Sequence, residues 1–236
     1  TTPPASGLLP GIEGLHVGVV HKIDGDPAKD YRIQVEISLL NSDKNMVWAR
    51  LSNFWSSNSF GAFFIPNVGD EVVLGFLNND PTYPVILGSL YSSANPAPLQ
   101  IDKKNPIQLM QTKNGIKLEM DDENKVVTVT TPGSNKLVLS DKDKNVTMAD
   151  QNGNKIVLSD SGILIQAAKE ITLKAGTEVK VDAGTNASVK AGVNATVKGT
   201  NVELTADASF TAKGNASAEL SAAGQTAVKG AIVMIN

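Results

Sequence analysis

The sequence predicts an all-β protein: a small closed barrel, then a β-helical needle wound from three intertwined copies of the chain. Three observations point there. Residues 162–236 repeat every eight residues, with Gly176, Gly184 and Gly192 eight apart. Apolar residues between them come in i, i+2 pairs: Ile171 and Leu173, Val179 and Val181, Ala187 and Val189, Ala195 and Val197. After one missing residue the phase resumes in Val202 and Leu204, Phe210 and Ala212, Ala218 and Leu220. That spacing is strand alternation with one face turned inward. Upstream, five short alternating runs separated by turn residues suggest a closed barrel, because closure removes exposed edges.

An octad is about five strand residues and a three-residue turn, and it cannot bury its single apolar face alone. One chain supplying all three sides of a prism needs about 24 residues per coil, giving a stack only roughly 15 Å tall. Three chains each supplying one side give about nine layers, roughly 40 Å. The inward alanines require a narrow interior, which favours three chains. A disordered Ala/Gly/Thr/Lys linker would have similar composition, but it would not hold phase through several octads.

Bulk composition narrows the function. Hydrophobic residues make up 41% of the 236, but aromatics only 5%, so the apolar content is aliphatic and suits β-structure with a thin core. The formal net charge of −3 gives no basic character to attract nucleic acid. No cysteine is present, which excludes disulfides, thiolate catalysis and cysteine-ligated metal. No apolar run approaches the ~18 residues of a membrane helix. The chain opens on Thr1 without a visible signal peptide or an initiator Met, so a longer gene is expected.

Taken in order, residues 1–10 hold Pro3, Pro4 and Pro10 and read as a linker. The barrel is expected over 11–91. Its first strand runs from Glu13 to Ile23, with Leu15, Val17 and Val19 on the inward face. Asp24-Gly25-Asp26-Pro27 turns into a second strand in which Tyr31, Ile33, Val35, Ile37 and Leu39 alternate with polar residues. Met46–Leu51 is the third. Ser52–Phe64 is looser and carries Phe54, Trp55, Phe60, Phe63 and Phe64. Of the barrel's aromatics, Trp48, Phe54 and Trp55 are expected to fill the barrel or the contact between subunits. Two further strands, Asp70–Leu77 and Tyr83–Leu90, follow turns at 66–69 and 78–81. A linker is expected over 92–112. An irregular, wider β-helix follows over 113–161, with strands at 116–120, 126–131, 137–140, 146–149 and 156–159, and then the octad needle over 162–236.

Two blocks in the barrel carry a resemblance. Gly61-Ala62-Phe63-Phe64-Ile65-Pro66-Asn67-Val68-Gly69-Asp70-Glu71-Val72 resembles the Pro-x-x-Gly-x-Glu-Val block of the OB domain in VgrG and phage-tail spikes. Asp80-Pro81-Thr82-Tyr83-Pro84-Val85-Ile86-Leu87-Gly88-Ser89-Leu90-Tyr91 resembles that family's Asp-Pro-x-x-Pro-Val-x-x-Gly-x-Leu-Tyr block. Residues 113–122 look like its entry into the β-helix. The resemblance covers roughly residues 11–236. It implies an OB-fold barrel and a homotrimeric spike of a contractile injection machine: a type VI secretion system, a phage tail or an extracellular particle. The implied partners are a hub or baseplate and an inner tube at the N-terminal side, a PAAR-type tip protein at the C-terminus, and the target membrane in passing. The implied location is the bacterial cytoplasm on assembly, then the outside. Some relatives insert a lysozyme domain between barrel and needle, and 92–112 is too short for one.

No catalytic constellation is found. His16 and His21 stand five apart on one strand, on opposite faces, so they cannot share a metal. The Asp/Asn/Gly runs at 141–145 and 150–154 faintly resemble calcium loops but lack the distal Glu, and turn chemistry explains them. No cofactor is expected. Glu71 either pairs at the barrel rim or is a solvated strand residue. The functional surfaces are therefore the inward positions of the trimer core, namely Ile171, Leu173, Val179, Val181, Val189, Val197, Val202, Leu204, Phe210 and Leu220. The apolar end of the chain, Ile232, Val233, Met234, Ile235 and Asn236, is the expected seat of the tip protein. Two other classes compete. A single-chain β-solenoid enzyme acting on polysaccharide needs a groove of clustered carboxylates, which the octads lack. A nucleic-acid-binding OB module needs exposed aromatics flanked by basic residues.

Overall fold

The computed structural model describes residues 10–37 and 45–234. Compactness divides the chain into two units, Thr1–Ile171 and Thr172–Asn236. The first holds every strand assigned among the described residues: a five-stranded barrel and, after it, a seven-stranded sheet.

The barrel strands are β1 (His16–Lys22), β2 (Arg32–Ile37), β3 (Met46–Leu51), β4 (Glu71–Phe76) and β5 (Pro84–Leu90). They close in the order β1-β2-β3-β5-β4. The seam is the one parallel pairing, Arg50 with Val85 and Leu51 with Ile86. The core is aliphatic: Val20, Ile33, Val35, Ile37, Ala49, Val72, Leu74 and Ile86 are all buried. β2 behaves as its alternation requires, with Ile33, Val35 and Ile37 inward.

Three expectations for the barrel need correction. In β1 the inward residues are Gly18 and Val20, while Leu15 and Val17 face solvent. The reason is close approach. A Cβ on Gly18 would lie 2.5 Å from Val35 Cγ1 and 2.8 Å from the Glu36 carbonyl. A glycine carries no apolar signal, so the sequence pattern settled on the wrong face. Tyr31 is not in β2; it sits at φ 56° and is 88% exposed at the end of the preceding turn. Leu39 lies outside the described residues. Finally, Phe54 and Trp55 do not fill the barrel but are exposed, as are Phe60, Phe63 and Phe64, so of the two expected places only a contact between subunits is left to Phe54 and Trp55.

Past the barrel, β6 (Ile107–Gln111) stands where the linker over 92–112 was expected to end. It opens an antiparallel meander with β7 (Lys117–Asp121), β8 (Val126–Thr130), β9 (Lys136–Ser140), β10 (Asn145–Ala149), β11 (Lys155–Ser159) and β12 (Gly162–Gln166). The chain expected to wind here as the wide end of the needle instead doubles back at every turn. The turns enforce this. Gly115, Gly153 and the non-glycine Lys125, Ser134 and Lys144 all take positive φ, the conformation that tight reversals between strands demand. The strands β7, β9 and β11 begin at 117, 136 and 155, a 19-residue repeat of one hairpin plus its turns. Seven strands at ~4.8 Å make this sheet about 30 Å wide across its strands.

Residues 167–234 contain no assigned strand. The backbone is punctuated by two-residue bends, which begin at 168, 176, 184, 192 and 200, then at 207, 215, 223 and 231. The octad period is therefore present in the backbone, and so is the single missing residue.

Candidate trimerisation surface

The register of the seven-stranded sheet sorts its side chains into two unlike faces. One row across all seven strands reads Met110, Leu118, Val129, Leu137, Met148, Ile156, Ile165. A second row reads Gln108, Met120, Val127, Leu139, Val146, Leu158, Ile163. The rows are two residues apart in every strand, so they share a face. Thirteen of these fourteen residues are apolar. The middle row of the opposite face mixes Glu119, Thr128 and Thr147 with Leu109, Val138, Val157 and Leu164.

Among the described residues nothing buries the apolar face, although Ala167 and Ile171 border a cavity along one of its rows. Met148 is 56% exposed and Ile165 55%, and none of the thirteen is buried. Covering them at even ~1 kcal/mol each would contribute on the order of 10 kcal/mol per chain. That equals the whole stability of an ordinary domain. A single-layer sheet with one such face needs another layer.

The sequence-derived core positions show the same condition. Ile171, Leu173, Val179, Val181, Val189, Val197, Val202, Leu204, Phe210 and Leu220 lie along the extended octad segment, each more than half exposed. The chain brings none of them into its buried core. Of the C-terminal residues, Ile232, Val233 and Met234 are also exposed; Ile235 and Asn236 lie outside the described residues.

The sheet's edges are pinned by side chains rather than by a core. At one edge the turns 112–116, 131–135 and 150–154 recur every 19 residues. Asp150 accepts hydrogen bonds from the backbone N–H of Asn154 and Asn152 and from both their side-chain amides. These bonds hold the Asp150 carboxyl below its ordinary pKa, that from the Asn154 N–H contributing most. Asn135 Oδ1 accepts from the Gln151 N–H, and Asn154 Oδ1 accepts from the Ala168 N–H at 2.9 Å. The turn 131–135 is thereby stitched to 150–154, and 150–154 in turn to the first bend of the octads. At the other edge Asp121 accepts from the Asn124 side chain and backbone, the side chain contributing most to its lowered pKa. The Asp/Asn runs at 141–145 and 150–154 are thus turns. Among the described residues no group of three metal-ligating side chains occurs.

In the barrel, five donors converge on Asp26: the Arg32 Nε and Nη2, and the backbone N–H of Ala28, Asp30 and Arg32. The guanidinium chiefly, then the amides, hold this carboxyl well below the usual carboxylate range. The clamp shapes the turn that presents Tyr31. Tyr31, Phe60 and Phe63 border a cleft of about 660 Å³ with Arg50, Asp30, Asn53 and Asn58. Its aromatics are exposed, as an oligonucleotide site requires, but Arg50 is its only cation and Asp30 offsets it. His16 and His21 both lie on β1; the His16 ring hydrogen-bonds the Glu13 carbonyl and meets Phe76 edge-on. Glu71 takes part in none of the ion pairs found among the described residues.

Barrel and sheet together define a class: an injector-type OB domain followed by a self-associating β-domain. Residues 16–91 match the model of the type VI secretion system/phage-baseplate injector OB domain. Residues 125–190 match that of the phage baseplate V C-terminal trimerisation domain. The two matches together cover more than half of the chain, which belongs to the VgrG and phage-baseplate spike family.

Among curated relatives, the type VI secretion system spike protein VgrG4b of Pseudomonas aeruginosa is 30% identical over 109 residues, 42% of this chain and 13% of that protein. VgrG3 of Vibrio cholerae is 33% identical over 73 residues, 31% of this chain and 7% of that protein. VgrG5 of Pseudomonas aeruginosa is 31% identical over 117 residues, 47% of this chain and 15% of that protein. The chain therefore spans no more than 15% of the length of these relatives. The trimerisation-domain match supports a homotrimer.

The apolar rows of residues 107–166 lie outside the octad positions expected from sequence, and the sequence signal they carry is a 19-residue hairpin repeat rather than an eight-residue one.

Proposed function

We propose that three copies of this chain join through the two-row apolar face and the octad segment to form the rigid spike of a contractile injection machine. The observation that carries this is the open apolar face: thirteen aligned side chains, none of them buried by the described residues of their own chain. Three sheets facing a common axis bury it. Three octad segments side by side give every extended arm hydrogen-bonded neighbours. Intertwined chains cannot part without unfolding, so the rod transmits axial force when a sheath drives it into a target envelope. Its work is mechanical and non-enzymatic.

The family supplies the neighbours in this reading. A hub and inner tube sit at the N-terminal side, and a PAAR-type tip protein sits on the apolar end at Ile232–Met234. The particle is secreted or acts as an extracellular injection device, touching the target membrane in passing. A single-chain solenoid is disfavoured, since its coils would pair with one another and no strand pairing is assigned past Gln166 among the described residues.

Light scattering on the full chain tests the proposal, with unboiled SDS electrophoresis beside it. A mass near three times 24.8 kDa and a slow SDS-resistant band are expected. A stable monomer of 24.8 kDa would overturn it.

A further inference from the structure

An octad needle has a register problem. Where every arm has the same length, an octad segment taken alone and displaced by one octad finds all its internal layers equivalent and loses only end layers, so nothing within the segment itself opposes the slip. Strands whose pattern repeats without distinguishing marks slip easily. The bends of this chain step by eight, at 168, 176, 184, 192 and 200, then by seven to 207, then by eight again to 215, 223 and 231. The short arm is thus 200–207. Its shortening is local. Val202 follows the bend by two residues, where Val179 and Phe210 follow theirs by three, and Leu204 precedes the next bend by three, as Val181 does. The missing residue is therefore at the corner just before Val202, and the inward phase beyond it is untouched.

We infer that the seven-residue arm 200–207 is a register key that selects in-line partners among copies of this chain; the inference rests on the trimeric reading above. Three copies in register place three short arms in one layer, and the layer closes symmetrically. A copy displaced by one octad leaves two layers with unequal sides, each mismatched by one residue, about 3.4 Å of chain. The same displacement sets the ring of Phe210, the one aromatic residue of 162–236, against valine or alanine positions of its neighbours. The key discriminates against wrong pairings without adding contacts to the right one, which is how specificity is obtained by mismatch.

The test moves the key. In the full chain, one Thr is inserted between Asn201 and Val202 and Ser209 is deleted, so that the short arm shifts by one octad and all later residues keep their phase. Native and moved-key chains carrying different affinity tags are co-expressed, and mixed trimers are counted by native mass spectrometry after pull-down on one tag. Native with native should mix statistically, and moved-key chains alone should form trimers. Native with moved-key should give at least about tenfold fewer mixed trimers. Statistical mixing of the two would overturn the register key while leaving the trimer intact.

Should the moved-key chain fail to trimerise, deletion of Asn194 in place of Ser209 moves the key the other way. Failure of both would show that the short arm serves packing at its own layer only, and the inference would fall. Absence of any native–native mixing, with monomers throughout, would instead overturn the trimeric reading.

Discussion

The barrel and the sheet that follows it are built from the same alternation, yet they differ in what completes them. The barrel curls until its inward residues meet one another: Ile33, Val35, Leu74 and Ile86 are no more than 2% exposed within a single chain. The sheet stays open, and its best apolar face is left at the surface. Strand length explains much of this. Barrel strands of six or seven residues can coil and tilt enough to close around a core. The five-residue strands of the sheet, reversed by turns of two to five residues, form a single layer with no second layer among the described residues. The first region carries its stability in its own sequence; in the proposed assembly the second is completed by other chains.

The sharpest way to break this comparison is to put charge on the proposed interface. Val181→Asp with Val189→Asp should abolish the trimer, reducing the light-scattering mass to that of one chain, because each trimer would bury three unpaired carboxylates per position. The barrel's near-UV signal should survive. An unchanged trimer would show that these octad positions do not face the axis. The two faces of the sheet give a paired version. Leu137→Asp should prevent assembly, whereas Val138→Thr, one residue along on the opposite face, should leave the mass unchanged and move Tm by no more than a few degrees.

The barrel responds differently. Ile86→Ala or Leu74→Ala should destabilise it by about 2–5 kcal/mol, the range for a large buried side chain cut to alanine. Denaturant titration should show this as an early transition that is independent of protein concentration. The transition of the C-terminal regions should depend on concentration, since their stability is inseparable from association. A single transition with one shared dependence would mean that the barrel, too, is completed by its neighbours.

How much of this was legible in the sequence follows from the same contrast. The octad period could be read because it is short and strict in the apolar residues, and the backbone bends fall on it, even to the missing residue before Val202. β2 could be read because Ile33, Val35 and Ile37 alternate with polar neighbours. β1 could not, since its inward face is carried by Gly18, whose role is to let two strands approach and whose side chain gives no apolar signal. The aromatics of 54–64 misled because large apolar side chains are ordinarily buried, and here an all-aliphatic core leaves them no room. The antiparallel course of 107–166 was hidden for another reason. Alternation fixes which residues share a face, but the direction of the next strand is set by turns such as 131–135 and 150–154, whose asparagines act through hydrogen bonds to residues 14 and 16 positions away.

The smallest expected effects lie in those turns, and they test whether barrel and sheet are pinned in the same way. Asn154→Ala removes an acceptor from the Ala168 N–H and a donor to Asp150, and should cost about 1 kcal/mol in Tm-based stability. Acid reaches both regions at once. Asp26 and Asp80 in the barrel, and Asp121 and Asp150 in the sheet, have pKa values lowered by the hydrogen bonds they accept. Each binds its proton more weakly folded than unfolded, where an aspartate titrates near 3.9. Their contribution is therefore fully present above about pH 4 and is lost as pH falls through the lower folded values. Asp26→Asn should lower the barrel's Tm by several degrees at pH 7, and the gap to the native chain should close toward pH 2. Asp150→Asn should do the same for the concentration-dependent transition, by less, because its partners are neutral amides whereas Asp26 faces a guanidinium. A gap that stayed constant with pH would mean that these carboxylates act through shape alone.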